Sequence, residues 1–385
     1  MSVKKFIKGS FVYAGSAFIF SVIRQIVFFP LIQKYSPELF GEISFLLITI
    51  DFLIYAFGSS LADYYVRLVT KTNLQKDIYK FLIKLSLVSL LTSIVFFVQD
   101  FSLTISLILG LYMVVFSINT LQLKVYFNFL IFKKNYFYVF VRLSPYLLLL
   151  TLTLFFNISN INIFILCLLI SELFSFLILY KGNIKLGFNV PELKEKTDLN
   201  VLKFIVIYMS FALVQRMDMF VVEHYFSEKY INYYQMISIF LIGVNPIVLV
   251  TSSSLLSILT KVDVSVFIKN KLKIILAIVC VGFCSGLVFV FLAPYLLKIF
   301  YPKNNLLDQF SFISFNVIFF TILFFVSKAF IIKYVNMNKI FFLNILTIII
   351  SLCFVYDFYT FTTMFFFTRG FLYLILLLNL KARNI

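Results

Sequence analysis

A chain of 385 residues with 62% hydrophobic residues, 13% charged residues and a mean hydropathy of +1.05 is too apolar for a soluble domain. Soluble domains contain about 45–50% apolar and about 25% charged residues. The formal net charge of +17 would indicate nucleic-acid binding in a soluble protein. Here most basic residues flank apolar stretches, where they would face anionic lipid. Composition therefore excludes a soluble, nucleic-acid-binding protein and predicts one all-α polytopic membrane domain.

About twelve nearly uncharged windows follow one another along the chain, each long enough to cross a hydrocarbon core of about 30 Å. The first six predicted transmembrane helices cover residues 9–31, 39–63, 80–98, 102–122, 137–157 and 161–180. The second six cover residues 201–222, 231–258, 273–297, 311–332, 339–356 and 359–380. We therefore predict an N-terminal six-helix bundle (1–180), a polar cytoplasmic linker (181–200) and a C-terminal six-helix bundle (201–385).

Positive charge alternates along the predicted connections. Of the 33 Lys and Arg, 26 lie at the two termini and in every second connection. The other connections hold only Lys34, Lys229, Lys298 and Lys303. Because basic residues are retained on the cytoplasmic side of a membrane, this pattern predicts that both termini are cytoplasmic.

The three remaining basic residues are Arg24, Arg216 and Arg369, and all lie inside apolar stretches. A charged side chain near the bilayer centre costs at least about 2.5–3.5 kcal/mol on insertion scales. We predict that these arginines bind an anionic group. Two structural alternatives stay open: Arg24 could reach the outer interface by snorkelling, and Arg216 could pair with another helix. Arg369, in the middle of the last predicted helix, is the deepest of the three and the hardest to explain by snorkelling.

Among the acidic residues within predicted helices we single out Asp51, Glu172 and Asp218. A lone carboxylate in the membrane is a candidate ion-coupling group, and an interhelical ion pair, such as Asp51 with Arg24, is the equally weighted alternative. Arg142, at the predicted cytoplasmic end of the fifth helix, is explained by topology alone.

No catalytic constellation is recognisable. A metal site would need several His, Cys or carboxylate ligands at short spacing, and no phosphate-binding glycine loop occurs. The four cysteines all lie in apolar stretches, where we expect free thiols. The chain is therefore predicted not to be an enzyme and to need neither a cofactor nor a metal.

The two halves show a weak internal repeat. Placing Tyr35–Glu38 on Phe226–Lys229 aligns the first two predicted helices with the seventh and eighth, and brings Arg24 onto Gln215. Two six-helix halves related by a repeat are typical of transporters that bind their substrate between the halves.

Three stretches of the chain form a recognisable set. The opening segment Lys8–Tyr13 leads into the first helix, and the turn Tyr35–Glu42 contains a Ser-Pro-Glu-x-Phe-Gly link to the second. Gln215–Phe220 contains an Arg-x-Asp element and continues to Ile231–Tyr234. Together these stretches resemble the Wzx-type polysaccharide flippases of the multidrug/oligosaccharidyl-lipid/polysaccharide exporter superfamily, in which a glycine is usual where this chain has Asn232.

The resemblance implies two six-helix bundles around a central cationic cavity that opens alternately to either side of the bacterial cytoplasmic membrane. It implies a substrate, a polyprenyl-diphosphate-linked oligosaccharide, that serves O-antigen, capsule or exopolysaccharide synthesis. It also implies a working monomer in a lipid environment, with a polysaccharide polymerase and a chain-length regulator as partners. Lipid II flippases of the same superfamily use cavity arginines on the first helix, which supports Arg24.

Four alternatives compete with this prediction. A drug or cation antiporter of the same superfamily would share the fold but carry more carboxylates and fewer arginines. An O-antigen polymerase or ligase would have a large outer loop, and the predicted outer connections are short. A teichoic-acid-type exporter would differ only in its substrate. A membrane scaffold would have little reason to keep buried arginines.

Overall fold

The computed structural model describes twelve stretches of the chain. They are residues 19–20, 22–54, 56, 87–99, 101–128, 133–180, 198–226, 230, 234, 264–300, 307–335 and 337–379. Every regular element in these stretches is a helix. The predicted eighth membrane helix, apart from Tyr234, and most of the predicted linker lie outside the described residues.

A π-helical turn, Ile23–Phe28, precedes the first α-helix. The α-helices of the first half are α1 (Phe29–Tyr35), α2 (Pro37–Leu53), α3 (Leu87–Val98), α4 (Leu103–Asn128), α5 (Lys133–Phe156) and α6 (Ile161–Tyr180). Those that follow are α7 (Asp198–Tyr225), α8 (Val264–Phe300), α9 (Leu307–Tyr334), α10 (Met337–Leu352) and α11 (Phe358–Leu378). Helices occupy the described parts of the predicted spans except for single end residues and a turn at 353–356, which confirms the all-helical fold.

Five of the described helices are long and apolar enough to cross a membrane. The qualifying segments are Leu103–Thr120, Phe137–Phe156, Ile161–Leu179, Lys269–Leu292 and Phe358–Leu378. Only 22% of the Lys269–Leu292 window is buried, and its Leu276 and Phe291 are 62% and 72% exposed. Because exposing an apolar surface of this extent to water is unfavourable in free energy, these side chains face lipid, as expected of a multi-pass membrane protein.

The described residues fall into two compact units. The first unit contains Val27–Ala212, and the second contains Leu213–Ile385 together with the described part of Tyr13–Ile26. Within the first unit α6 packs against α4 and α5, and within the second α11 packs against α9 and α10. The last helix of each half therefore packs against two earlier helices of the same half. The predicted division at residues 181–200 stays a prediction.

The turn between α1 and α2 explains the Ser-Pro-Glu motif. Ser36 ends α1, its N–H bonding to the Ile32 carbonyl at 2.7 Å, and its own carbonyl accepts from the Phe40 N–H at 3.0 Å. Pro37 is the first residue of α2, where its fixed φ favours a helix and its missing N–H costs nothing. Glu38 places negative charge in the first turn, which suits the helix dipole.

Asp357 caps the N-terminus of α11. Its Oδ2 accepts hydrogen bonds from the Thr360 N–H and hydroxyl, both at 2.9 Å. This bond satisfies one of the backbone N–H groups that the first turn of a helix leaves without a partner.

We therefore expect Asp357→Ala to lower the free energy of unfolding by about 1 kcal/mol, because an N-cap bond is lost. Asp357→Asn keeps an acceptor oxygen and should unfold like the wild type. Reversible unfolding in detergent micelles, followed by circular dichroism at 222 nm, measures both variants. Equal loss in the two variants would contradict a capping role.

Candidate functional site

The buried charges gather in two polar clusters, one in each compact unit. The first polar cluster comprises Asn119 on α4, Tyr138 and Arg142 on α5, and Glu172 on α6. Glu172 lies near the middle of α6 and is only 1% exposed. The packing of α6 against α4 and α5 brings the three helices together around this carboxylate.

Both oxygens of the Glu172 carboxylate are occupied by donors. Oε1 lies 2.8 Å from the Arg142 Nε, and Oε2 accepts from the Asn119 Nδ2 at 2.7 Å. The Tyr138 hydroxyl donates to the same carboxylate at 3.2–3.3 Å. The Asn119 amide also donates to the Glu172 backbone carbonyl at 2.9 Å. A buried charge with a counter-ion and satisfied acceptors is a stable arrangement in an apolar medium.

Local backbone chemistry places Arg142. Pro145 lies inside α5 and cannot donate to the Val141 carbonyl, which instead accepts from the Ser144 hydroxyl at 2.7 Å. The Arg142 guanidinium lies over the Phe116 ring, 4.4 Å from its centre, and its side chain is 25% exposed. From the sequence, Arg142 was explained by membrane topology alone. In the structure it is the counter-ion of Glu172. The sequence signal that could have indicated this pairing is the presence of a base and an acid in two neighbouring predicted helices.

The second polar cluster comprises Arg216 and Asp218 on α7, Thr321 on α9 and Arg369 on α11. Asp218 and Arg369 are each 3% exposed, whereas Arg216 is only partly buried. Asp218 attracts both guanidinium groups, and the two arginines repel each other. Two positive groups therefore act on one carboxylate.

Arg369 lies in an aromatic cage. Its Nη2 donates to the Thr321 hydroxyl at 3.0 Å. Its guanidinium carbon lies 4.6 Å from the ring centre of Phe366, 4.8 Å from that of Phe324 and 5.2 Å from that of Phe365. Aromatic faces attract a cation and replace part of its hydration.

Two charged atoms of the second cluster lack a hydrogen-bond partner among the described residues. These are the Nε of Arg369 and the Oδ1 of Asp218, and both are buried. In the first cluster the uncharged Oδ1 of Asn119 also lacks a partner among the described residues, but both oxygens of the charged Glu172 are bound, by three side chains. Since buried polar atoms normally have a partner, the second cluster is the better candidate for a ligand site.

The remaining predicted site residues have clear positions. Arg24 lies in the π-helical turn before α1, partly buried and 5.5 Å from the Phe20 ring centre, and its segment belongs to the second unit. π-helical turns frequently mark functional positions in helices. Asp51 is partly buried on α2, in the first unit. The structure therefore groups all three predicted arginines in one compact unit, and the anion-binding and ion-coupling roles stay predictions.

The two clusters have their central charged residues and helix contacts at corresponding positions. Glu172 is the twelfth residue of α6 and Arg369 is the twelfth residue of α11. Each bonds to a polar side chain of the helix two places earlier, Asn119 on α4 and Thr321 on α9. Corresponding positions thus carry opposite charges, an agreement that supports the predicted internal repeat.

Metal-binding groups were also sought in the described part of the chain. No group of three His, Cys, Asp or Glu side chains there is arranged to hold a metal ion. The four cysteines are free thiols.

Comparison with known proteins identifies the fold. No protein-family model and no curated protein matches the chain in sequence. Solved structures do match. An outward-facing multidrug resistance MATE family transporter of the MOP superfamily gives a TM-score of 0.70 at 10% identity, covering 97% of this chain and 93% of the other.

Two further structures agree with it. A MATE protein in complex with MaD3S gives a TM-score of 0.71 at 12% identity, covering 97% of this chain and 94% of the other. A MOP superfamily transporter from Pyrococcus furiosus, described as having a binding pocket of reversed polarity, gives 0.69 at 11% identity over 97% and 93%. The chain therefore has the fold of the MATE transporters of the MOP superfamily.

The first cluster generates a stability prediction. Glu172→Ala leaves the Arg142 guanidinium without its carboxylate, and we expect a loss of about 3 kcal/mol in the free energy of unfolding. Combining Arg142→Met with Glu172→Gln removes both charges and keeps an acceptor for Asn119, so most of this loss should be recovered. Unfolding in detergent micelles measures both. A double variant no more stable than Glu172→Ala would refute the ion-pair account.

Proposed function

We propose that this chain is a flippase that moves a polyprenyl-diphosphate-linked oligosaccharide across the bacterial cytoplasmic membrane by alternating access. One observation carries the proposal: Arg369 is buried with an Nε that has no hydrogen-bond partner among the described residues, in a cluster that holds a second arginine, Arg216, and one carboxylate, Asp218. The transporter fold of similar structures and the sequence resemblance support it.

A diphosphate fits the chemistry of the cluster. Two arginines near each other in an apolar region raise the free energy of the protein unless an anion reduces their repulsion. A diphosphate carries more than one negative charge and several acceptor oxygens. One guanidinium group can donate two parallel hydrogen bonds to two such oxygens. The buried Nε of Arg369, which has no hydrogen-bond partner among the described residues, offers a donor for this purpose.

The substrate needs such a protein because its headgroup cannot enter hydrocarbon. A diphosphate and many sugar hydroxyls would lose their hydration over about 30 Å of apolar medium. In this proposal the arginines compensate the diphosphate, water in the cavity solvates the sugars and the prenyl tail stays in the lipid. A polysaccharide polymerase and a chain-length regulator would act on the exported glycan.

A drug or cation antiporter is the second candidate, because several similar solved structures are described as MATE multidrug transporters. A cationic drug needs an accessible carboxylate. Glu172 is held by Arg142, and Asp218 is attracted by two arginines. Charge therefore favours an anionic substrate over a cationic one.

Deletion of the gene tests the proposal directly. A flippase mutant should lose surface glycan and accumulate a lipid-linked oligosaccharide on the inner leaflet, which mass spectrometry of extracted lipids identifies. Unchanged glycan together with increased sensitivity to cationic drugs would support the antiporter instead.

Substitution of the three arginines tests the site. We expect Arg24→Ala, Arg216→Ala and Arg369→Ala each to abolish glycan export while the protein still inserts in the membrane, because each removes a positive charge from the second unit. Export is measured by surface glycan staining and insertion by immunoblotting of membranes.

A matched control is Lys34→Ala, which removes an exposed basic residue and should leave export unchanged. Normal surface glycan in all three arginine variants would exclude a cationic substrate site.

A further inference from the structure

We propose that Gly370 is a positioning residue for Arg369: its missing side chain lets α11 approach the backbone of α9 closely enough for the guanidinium to reach Thr321. The inference rests on the proposed anion site and adds a residue to it that binds no substrate itself. Gly370 follows Arg369 directly in the chain and is buried, so it contacts α9 beside the second polar cluster.

The geometry of the contact leaves no room for a methyl group. A Cβ at position 370 would lie 2.8 Å from the backbone oxygen of Phe320 and 2.9 Å from its Cβ and Cδ1. Backbone atoms inside a helix cannot move independently, so any side chain at 370 would push α11 away from α9. Small residues permit such close approach of membrane helices.

The contact is coupled to Arg369 through neighbouring residues on both helices. Phe320 precedes Thr321, whose hydroxyl accepts from the Arg369 Nη2 at 3.0 Å. One turn further along α9, Phe324 supplies a ring of the aromatic cage, 4.8 Å from the guanidinium carbon. Separating the helices at Gly370 therefore lengthens both contacts at once.

Other glycines of the chain provide controls. The nearest atoms to a Cβ at Gly286, on α8, belong to the Phe315 ring, at 2.7 and 2.9 Å, and a ring can rotate away. A Cβ at Gly41, on α2, would meet no atom within 4 Å. Gly286→Ala thus perturbs packing on another face of α9, and Gly41→Ala perturbs nothing.

The first test uses no ligand. Gly370→Ala and the isosteric Thr321→Val are combined in a double-mutant cycle, with midpoints of unfolding measured in detergent micelles for the full chain. If Gly370 keeps the Arg369–Thr321 bond short, Thr321→Val should lower the midpoint in the wild type but not in the Gly370→Ala background. Strictly additive shifts would overturn the inference. Gly286→Ala combined with Thr321→Val should be additive.

The second test uses inorganic pyrophosphate as the probe, titrated calorimetrically into the purified protein. Gly370→Ala should weaken binding by about tenfold, and Arg369→Ala with Gly370→Ala should bind no more weakly than Arg369→Ala alone. Thr321→Val should also weaken binding, which keeps the test decisive if Gly370→Ala fails to fold. Affinity unchanged in Gly370→Ala and Thr321→Val, but reduced in Arg369→Ala, would overturn the inference.

The two tests separate the inference from the proposed function. If the unfolding midpoints in the cycle are non-additive but Arg369→Ala does not change pyrophosphate binding, the positioning of Arg369 stands and the anion site is refuted. If the unfolding midpoints are additive but Arg369→Ala loses pyrophosphate binding, the anion site stands and the role of Gly370 is refuted.

Discussion

Charge inside an apolar medium must be balanced by partners, and both units of this chain are built around one such charge. Glu172 and Arg369 lie at corresponding positions of α6 and α11, each the last helix of its half. Each is almost fully buried, so neither retains its hydration. The neighbouring helices supply the compensation: α4 and α5 pack against α6, and α9 and α10 pack against α11.

The two clusters solve this problem differently. In the first, Arg142, Asn119 and Tyr138 all point donors at one carboxylate, and charge balances within the cluster. In the second, one buried carboxylate shares the cluster with two arginines, and a cage of phenylalanine rings around Arg369 replaces part of the missing solvation. The first arrangement resembles a structural ion pair. The second carries two positive charges and one negative charge, so an added anion would balance it. For this reason the proposed substrate site belongs to the second unit.

The polar contacts depend on close backbone packing. The Arg369 guanidinium reaches the Thr321 hydroxyl where α11 lies close to the backbone of α9, and in our proposal Gly370 permits that approach. Near the other cluster, Pro145 leaves the carbonyl of Val141, the residue before Arg142, without its backbone donor, and the Ser144 hydroxyl donates to it instead.

The sequence by itself determined the helices. In lipid the backbone N–H and C=O groups of an apolar stretch of membrane length find no water to bond, so few structures other than a helix satisfy them. The predicted spans overlap the described helices, and α6 has the predicted limits, 161–180, but α8 begins nine residues before the predicted 273 and α4 ends six residues after the predicted 122. The sequence also identified every buried acid that the clusters use. Only the tertiary structure decided which charges meet. Arg142 was assigned to topology but pairs with Glu172, and Thr321 and Gly370 carried no signal at all. Local patterns specify a helix, whereas the partner of a buried charge depends on packing between helices far apart in the chain.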